Sequence, residues 1–179
     1  MELTMKTKLT ALLASAVFSF TLASGASAQS FGDCVSTNKA QFDGTIVDAA
    51  IATPELSTLV DLVVAAGLDD ALATTEEITV FAPTNDAFGA LPPELVEVVA
   101  GNTDLLTGIL TYHVTMGHPD PRKLSGAVAQ RKETLQGQSV YFSRSNGEPR
   151  VNNAGVACQG VQTDNGTVWI IDSVLLPAL

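Results

Sequence analysis

Hydrophobic positions follow three different rhythms along the chain. Leu9 to Ala23 is an apolar run with Ser and Thr interspersed. From Thr45 to Val114 apolar residues recur mostly at helical spacing, and beyond Leu124 they alternate as in strands. "GTIVDAAIAT" reads as a short helix begun by Thr45. In "TPELSTLVDLVVAAGL", Leu56, Leu59, Val60, Val63 and Val64 form a helical stripe. Thr53 stands at its N-cap, Pro54 at its first position and Gly67 just past its end. "DDALATTEE" reads as a turn region and "ITVFAP" as a strand of the buried type. "PPELVEVVAG" and "NTDLLTGILTYHV" predict two further helices. In the second, Asn102 or Thr103 is the cap and Leu105, Leu106, Ile109 and Leu110 are the stripe.

The stretch "TVFAPTNDAFGALP" holds the densest polar cluster on an apolar frame. Pro83 ends the strand. Thr84 or Asn85 can cap the next helix, and Asp86 falls in its first turn, where the helix dipole favours an anion. All three side chains therefore have structural work, and the cluster reads as a corner rather than a site. "SVYFSR", "PRVNNAGV" and "GVQTDNGTVWIID" read as strands. Asn165-Gly166 between alternating runs predicts a type I′ hairpin. Asn165-Gly166-Thr167 also matches a glycosylation sequon, which a turn explains without sugar. Helices come first with one strand among them, and strands follow. This order predicts an α+β fold, not the alternation of a parallel sheet.

The first 28 residues change the picture of where the chain works. Lys6 and Lys8 precede the apolar run, and Ala26-Ser27-Ala28 supplies small residues for cleavage before Gln29. Residues 1–28 are expected to be a secretory signal, placing the protein in the periplasm or outside the cell, with Met5 a second possible start. A retained anchor is the rival reading, although the run is short for a spanning helix. Residues 29–44 are expected to be a loose lead-in and 45–177 a single domain. No later segment is long and apolar enough to span a bilayer. The net charge of −10 makes nucleic acid an unsuitable partner. Charge is also segregated. Ala40 to Pro121 carries thirteen acids and no Lys or Arg, whereas Arg122 to Arg150 carries six basic residues and two acids. A solvated acidic surface with basic loops accounts for this. So does a molecule with opposite faces, able to pack head to tail or to dock a charged surface. A monomer or weak self-association is expected.

Cys34 and Cys158 both lie in the exported part, where an even count predicts a disulfide. Closing so long a loop would contribute about 4–5 kcal/mol in the chain-entropy model. Catalytic groups are sparse. There is no Gly-x-Ser-x-Gly elbow, and His113 and His118 are the only histidines. A His113–Cys158 dyad conflicts with an oxidised Cys158. Two histidines, even with Asp120, make a poor metal set. No metal, cofactor or catalytic residue is expected. His118 reads as a solvated turn residue and His113 as a partly buried one.

Three stretches in order resemble the fasciclin (FAS1) domain family. "TVFAPTNDAF" is similar to its first motif, "LTYHV" to its central Tyr-His element, and "VNNAGVACQGVQTDNGTVWIIDSVLLP" to its second motif. The resemblance spans roughly Thr45 to Pro177. It implies a β-sandwich-like wedge with helices packed along one edge. It also implies a non-catalytic adhesion or interaction role outside the cell, toward a protein or glycan on a cell surface or matrix. Tyr112 and His113 are the binding candidates it offers. Two departures stand out. An Asp-Ile pair implicated in receptor binding in adhesive animal members is here Gly160-Val161, and the family's "VHVID" is here "VWIID", with Trp169 in place of His. A small-ligand carrier with a pocket between helices and sheet is the alternative role.

Overall fold

The computed structural model describes residues 31–123 and 130–178; the expected leader, 1–28, lies outside them. Seven α-helices and nine strands follow one another in this part. They are α1 (Phe31–Ser36), β1 (Ala40–Gln41), α2 (Ile46–Ile51), α3 (Ser57–Ala65), α4 (Asp69–Thr74), β2 (Ile78–Pro83), α5 (Asn85–Gly89), α6 (Pro93–Ala100), α7 (Thr103–Tyr112), β3 (Val114–Met116), β4 (Gln130–Glu133), β5 (Ser139–Ser145), β6 (Glu148–Val151), β7 (Ala154–Gly155), β8 (Val161–Gln162) and β9 (Gly166–Ile171). The class is α+β. One sheet has the order β1-β8-β9-β2-β3 and mixes parallel and antiparallel pairs; the other, β4-β5-β6-β7, is antiparallel throughout.

β2 explains the layering. All six of its residues are buried, so its apolar run is continuous rather than alternating. Ile78, Val80 and Ala82 pack under the helices with Leu59, Val63, Leu106 and Leu110. Phe81, with Trp169 and Ile171 of β9, faces the second sheet and meets Val140, Phe142 and Val151. The first sheet is thus the middle layer, with helices on one face and the second sheet on the other.

Local signals set the helix ends. Thr45 and Asp48 form a reciprocal capping box at α2. Asn102 caps α7 by accepting from the Leu105 N–H. α3 stops in a Schellman arrangement. Gly67, at φ +65°, donates to the Val64 carbonyl and Leu68 to that of Val63.

Four expectations need correction. Thr53 caps nothing with its side chain; it precedes a 3-10 turn (Pro54–Leu56) and its hydroxyl donates to the Ala49 carbonyl. "DDALATTEE" is not a turn region: its first six residues form α4, with Leu72 drawn onto the core and two acids in the first turn. The lead-in is not loose, since α1 is covalently tied and β1 adds a parallel strand beside β8. The β8–β9 turn is not type I′. It is centred on Asp164-Asn165, flanked by a Thr163 N–H donating to the Gly166 carbonyl, and neither central residue has positive φ. The left-handed pair is instead Asn146 and Gly147, at φ +53° and +85°, joining β5 to β6.

Candidate functional site

The polar residues singled out in the sequence lie at the seams between layers. Thr84 is the α5 cap: its hydroxyl accepts from the Ala87 N–H at 3.3 Å. Asn85 does different work. Its side-chain oxygen accepts from the Thr58 N–H at 3.0 Å and its amide donates to the Pro54 carbonyl at 3.0 Å, stapling α5 to the start of α3. Asp86 is exposed in the first turn of α5.

Tyr112 and His113 end α7 and reach in two directions. The Tyr112 hydroxyl donates to the Ser139 carbonyl at 3.2 Å and accepts from the Asn152 amide at 3.0 Å, tying α7 to the second sheet. His113 is 2% exposed. Its Nδ1 lies 2.8 Å from the Ile109 carbonyl, and its Nε2 accepts from the Leu175 N–H at 2.9 Å. A carbonyl can only accept, so Nδ1 carries the proton. Nε2 faces a donor, so it must be bare. This pair of partners fits only neutral imidazole. Burial pushes the His113 pKa down to about 4, against a smaller opposing effect of the Ile109 carbonyl. His118 is exposed in the loop after β3.

Asn165, 7% exposed, is a junction in its own right. Its oxygen accepts from the Ile46 N–H at 2.9 Å, at the start of α2. Its amide donates to the carbonyls of Leu72 at 2.8 Å and Thr75 at 3.0 Å, at the end of α4. With both ends engaged inside the protein, the amide nitrogen of the sequon is not presented for glycosylation. Gly166 is required by space: a Cβ there would stand 2.0 Å from the Ile78 carbonyl oxygen of the neighbouring strand.

A fourth junction was not read from the sequence. Arg122, 3% exposed, grips Asp120 with two nitrogens, each 2.9 Å from a carboxylate oxygen. Its Nη1 donates to the carbonyls of Cys34, Thr37 and Cys158, around the Cys34–Cys158 disulfide. Its guanidinium lies 4.7 Å from the Trp169 ring centroid. Burial raises the Asp120 pKa, but the hydrogen bonds and charge of Arg122 outweigh it and hold the carboxyl below its ordinary value. Burial lowers the Lys39 pKa, against partial compensation by Asp120. "DPR" was legible as Asp and Arg two apart around a proline. Nothing local shows that the arginine folds inward onto chain brought from far away.

The chemistry of these junctions is cohesion. The imidazole, phenol and guanidinium are each consumed by internal partners. Among the described residues no three His, Cys, Asp or Glu side chains gather to hold a metal. An apolar cavity of about 120 Å³ lies between α3, α6 and α7, walled by Leu62, Phe88, Leu95, Val99 and Leu106, with His113 at its base.

The sequence from 54 to 177 matches the family model of the fasciclin domain. The chain belongs to the fasciclin domain family. It is 43% identical over 134 residues to the immunogenic protein MPB70 of Mycobacterium bovis, which covers 72% of this chain and 67% of that one. It is 42% identical over 139 residues to protein sll1483 of a Synechocystis species, covering 75% and 74%. The cell surface glycolipoprotein MPB83 of M. bovis is 44% identical over 101 residues, covering 56% and 44%. Among solved structures, the FAS1 domain pair of the insect cell adhesion molecule fasciclin I is similar in fold, with TM-score 0.56 and 22% identity. That likeness covers 68% of this chain and 45% of the pair, less than half its length.

Gly160 and Trp169, where the sequence departs from the fasciclin pattern, lie against one another. A Cβ at position 160 would stand 2.9 Å from the six-membered ring of Trp169. The indole occupies the space a side chain at 160 would need. Gly160 therefore packs beneath Trp169.

Proposed function

We propose that this fasciclin domain is an exported, non-catalytic interaction module that binds a protein or glycan on a cell surface or in a matrix. The observation that carries this reading is where the motif side chains go. Tyr112 and His113 point inward and are saturated with internal partners, so contact with other molecules falls to the outer faces. The disulfide suits an oxidising compartment. No helix among the described residues is long and apolar enough to cross a membrane. The kinship with a cell surface glycolipoprotein and an adhesion-molecule fold supports the same reading. Saturable retention of the purified protein on cell-envelope or matrix material, competed by free protein, is the expected result. Turnover of ester, peptide or glycoside substrates, or the absence of any retention, would overturn it.

A second reading, an extracellular carrier of small ligands, is favoured by the apolar cavity beneath α6. At about 120 Å³ it is comparable to cavities that stay dry and take up benzene-sized molecules. Small apolar probes that raise the melting temperature, and lose that effect when Val99→Phe fills the space, would support it.

A further inference from the structure

The charge segregation along the chain acquires a place in the fold. The acids before residue 121 sit largely on the helical layer, including Asp48, Asp61, Asp69, Glu94 and Asp104. Most of the cations after it sit on the second sheet. That sheet buries one face: Val140, Phe142, Val151 and Ala154 are all core residues. Side chains alternate across a strand, so Tyr141, Ser143 and Arg150 lie on the opposite, outer face. Arg131 of β4 is directly opposite Tyr141, and Arg150 of β6 is opposite Ser143, two residues along from Tyr141. Residues paired in this way share a face. Tyr141 is 48% exposed and makes no contribution to the core. Arg131, Tyr141 and Arg150 form a diagonal strip across three adjacent strands, about 12 Å from end to end.

The acids of the chain do not neutralise the cations of this strip. Among the described residues, no carboxylate forms an ion pair with Arg131, Lys132 or Arg150, in a chain with 19 acids. Arg150 donates Nη1 to the Asn153 carbonyl, but its Nε is buried without a partner. Glu133 and Glu148 stand at the margins of the same face.

We propose that this strip binds an acidic polysaccharide, a chain of sugar rings bearing carboxylates. The inference rests on the interaction-module reading and names the partner's chemistry. An exposed phenol ring offers a flat surface for the C–H-rich face of a sugar. On one side the exposed Arg131 guanidinium offers paired N–H donors to a carboxylate, and on the other the half-buried Arg150, with Nη1 on the Asn153 carbonyl, presents its Nη2. A second copy of this chain, docking its acidic helices here, is disfavoured by charge. It would bring a whole body of net charge −10 against another. A single polysaccharide strand touches only the basic strip, and repulsion from the helical layer is screened beyond about 8 Å in physiological salt.

The test uses polygalacturonate as probe, with neutral dextran as control, on the full secreted chain. Retardation by polygalacturonate but not by dextran is expected, and the affinity should fall as salt rises. Arg131→Gln should weaken binding by about tenfold, the loss of one charge-assisted contact. Tyr141→Ala should also weaken it, and both variants should melt as the parent does. Arg150→Gln disturbs the Asn153 turn and is read only beside its own melting curve. Undiminished binding by both Arg131→Gln and Tyr141→Ala overturns the proposal. So does failure to bind polygalacturonate by a protein still retained on cell-envelope material, which spares the interaction reading; retention on neither sinks both. A concentration-dependent dimer abolished by Arg131→Gln would assign the face to a second copy and overturn the polysaccharide.

Discussion

At the scale of single residues, His113 carries a pH dependence whose sign follows from its partners. Protonation would place a second N–H on Nε2, facing the Leu175 N–H. The folded protein therefore resists it down to about pH 4, while an unfolded imidazole accepts the proton near pH 6.5. Because the unfolded chain binds the proton first, stability falls as pH drops from about 6.5 to about 4, by roughly 3 kcal/mol, and this group contributes no further loss below that. Chemical denaturation across this window should show the slope. An NMR titration in which His113 titrates freely near its ordinary value would remove the basis for it. His113→Ala should cost several kcal/mol, since it strands a buried donor and a buried acceptor, whereas His118→Ala should change little. Asn165→Ala belongs with it. Deleting this amide leaves the Ile46 N–H and the carbonyls at the end of α4 without partners, at a cost of about 3 kcal/mol. A variant that melts like the parent would mean that water replaces the side chain.

At the scale of elements, the sequence was legible where a single local rule decides and opaque where distant chain decides. Thr45, Asn102, Gly67 and the stripe Leu106-Ile109-Leu110 act through neighbours within one turn, and each stands where local reasoning places it. Thr84 caps α5, and Thr84→Ala should cost about 1 kcal/mol with no change in partner binding. Asn165-Gly166 misled because two different long-range demands stand side by side and mimic a turn signature. Asn165 is needed for its amide and Gly166 for its missing Cβ, while the true left-handed pair, Asn146-Gly147, lies three strands earlier. α4 was missed because Leu72 is held by the core it packs on. The pairing of Gly160 with Trp169 was likewise invisible before the strands were placed. It makes a sharp test. Gly160→Ala alone should cost about 1–3 kcal/mol through overpacking against the indole, and Trp169→His alone should cost more through lost volume. The double variant should be less damaged than the sum, because the smaller ring vacates the space the new methyl needs. Strict additivity in thermal melts would show that the two positions do not constrain one another.

At the scale of the whole molecule, the question is what holds the segment before Thr45 to the domain. Two independent ties converge there. The disulfide joins residues 124 apart in sequence, and in the chain-entropy model such a closure contributes about 4–5 kcal/mol. The second tie is Arg122, whose Nη1 gathers carbonyls from both cysteines and from Thr37 while Asp120 neutralises its charge. Breaking a buried pair by removing one partner costs roughly 3–5 kcal/mol, so Arg122→Ala is expected to be as damaging as reduction. Its pH behaviour should differ from that of the parent. In the parent, Asp120 has a lowered pKa, so its stabilisation is present above the ordinary carboxylate value and is lost as pH falls through the folded one; without Arg122 that acid-side loss should shrink. The two ties are separable by limited proteolysis. β1 still pairs with β8, and Arg122 still holds the Cys34 carbonyl, when the sulfur bond is opened. Reduced parent protein should therefore keep residues 34–44 protected, oxidised Arg122→Ala should keep them tethered but more readily cut, and reduced Arg122→Ala should lose them fastest. If reduction alone exposes the segment as fully as reduction plus Arg122→Ala, the guanidinium contributes nothing to docking beyond the disulfide and the β1–β8 pairing.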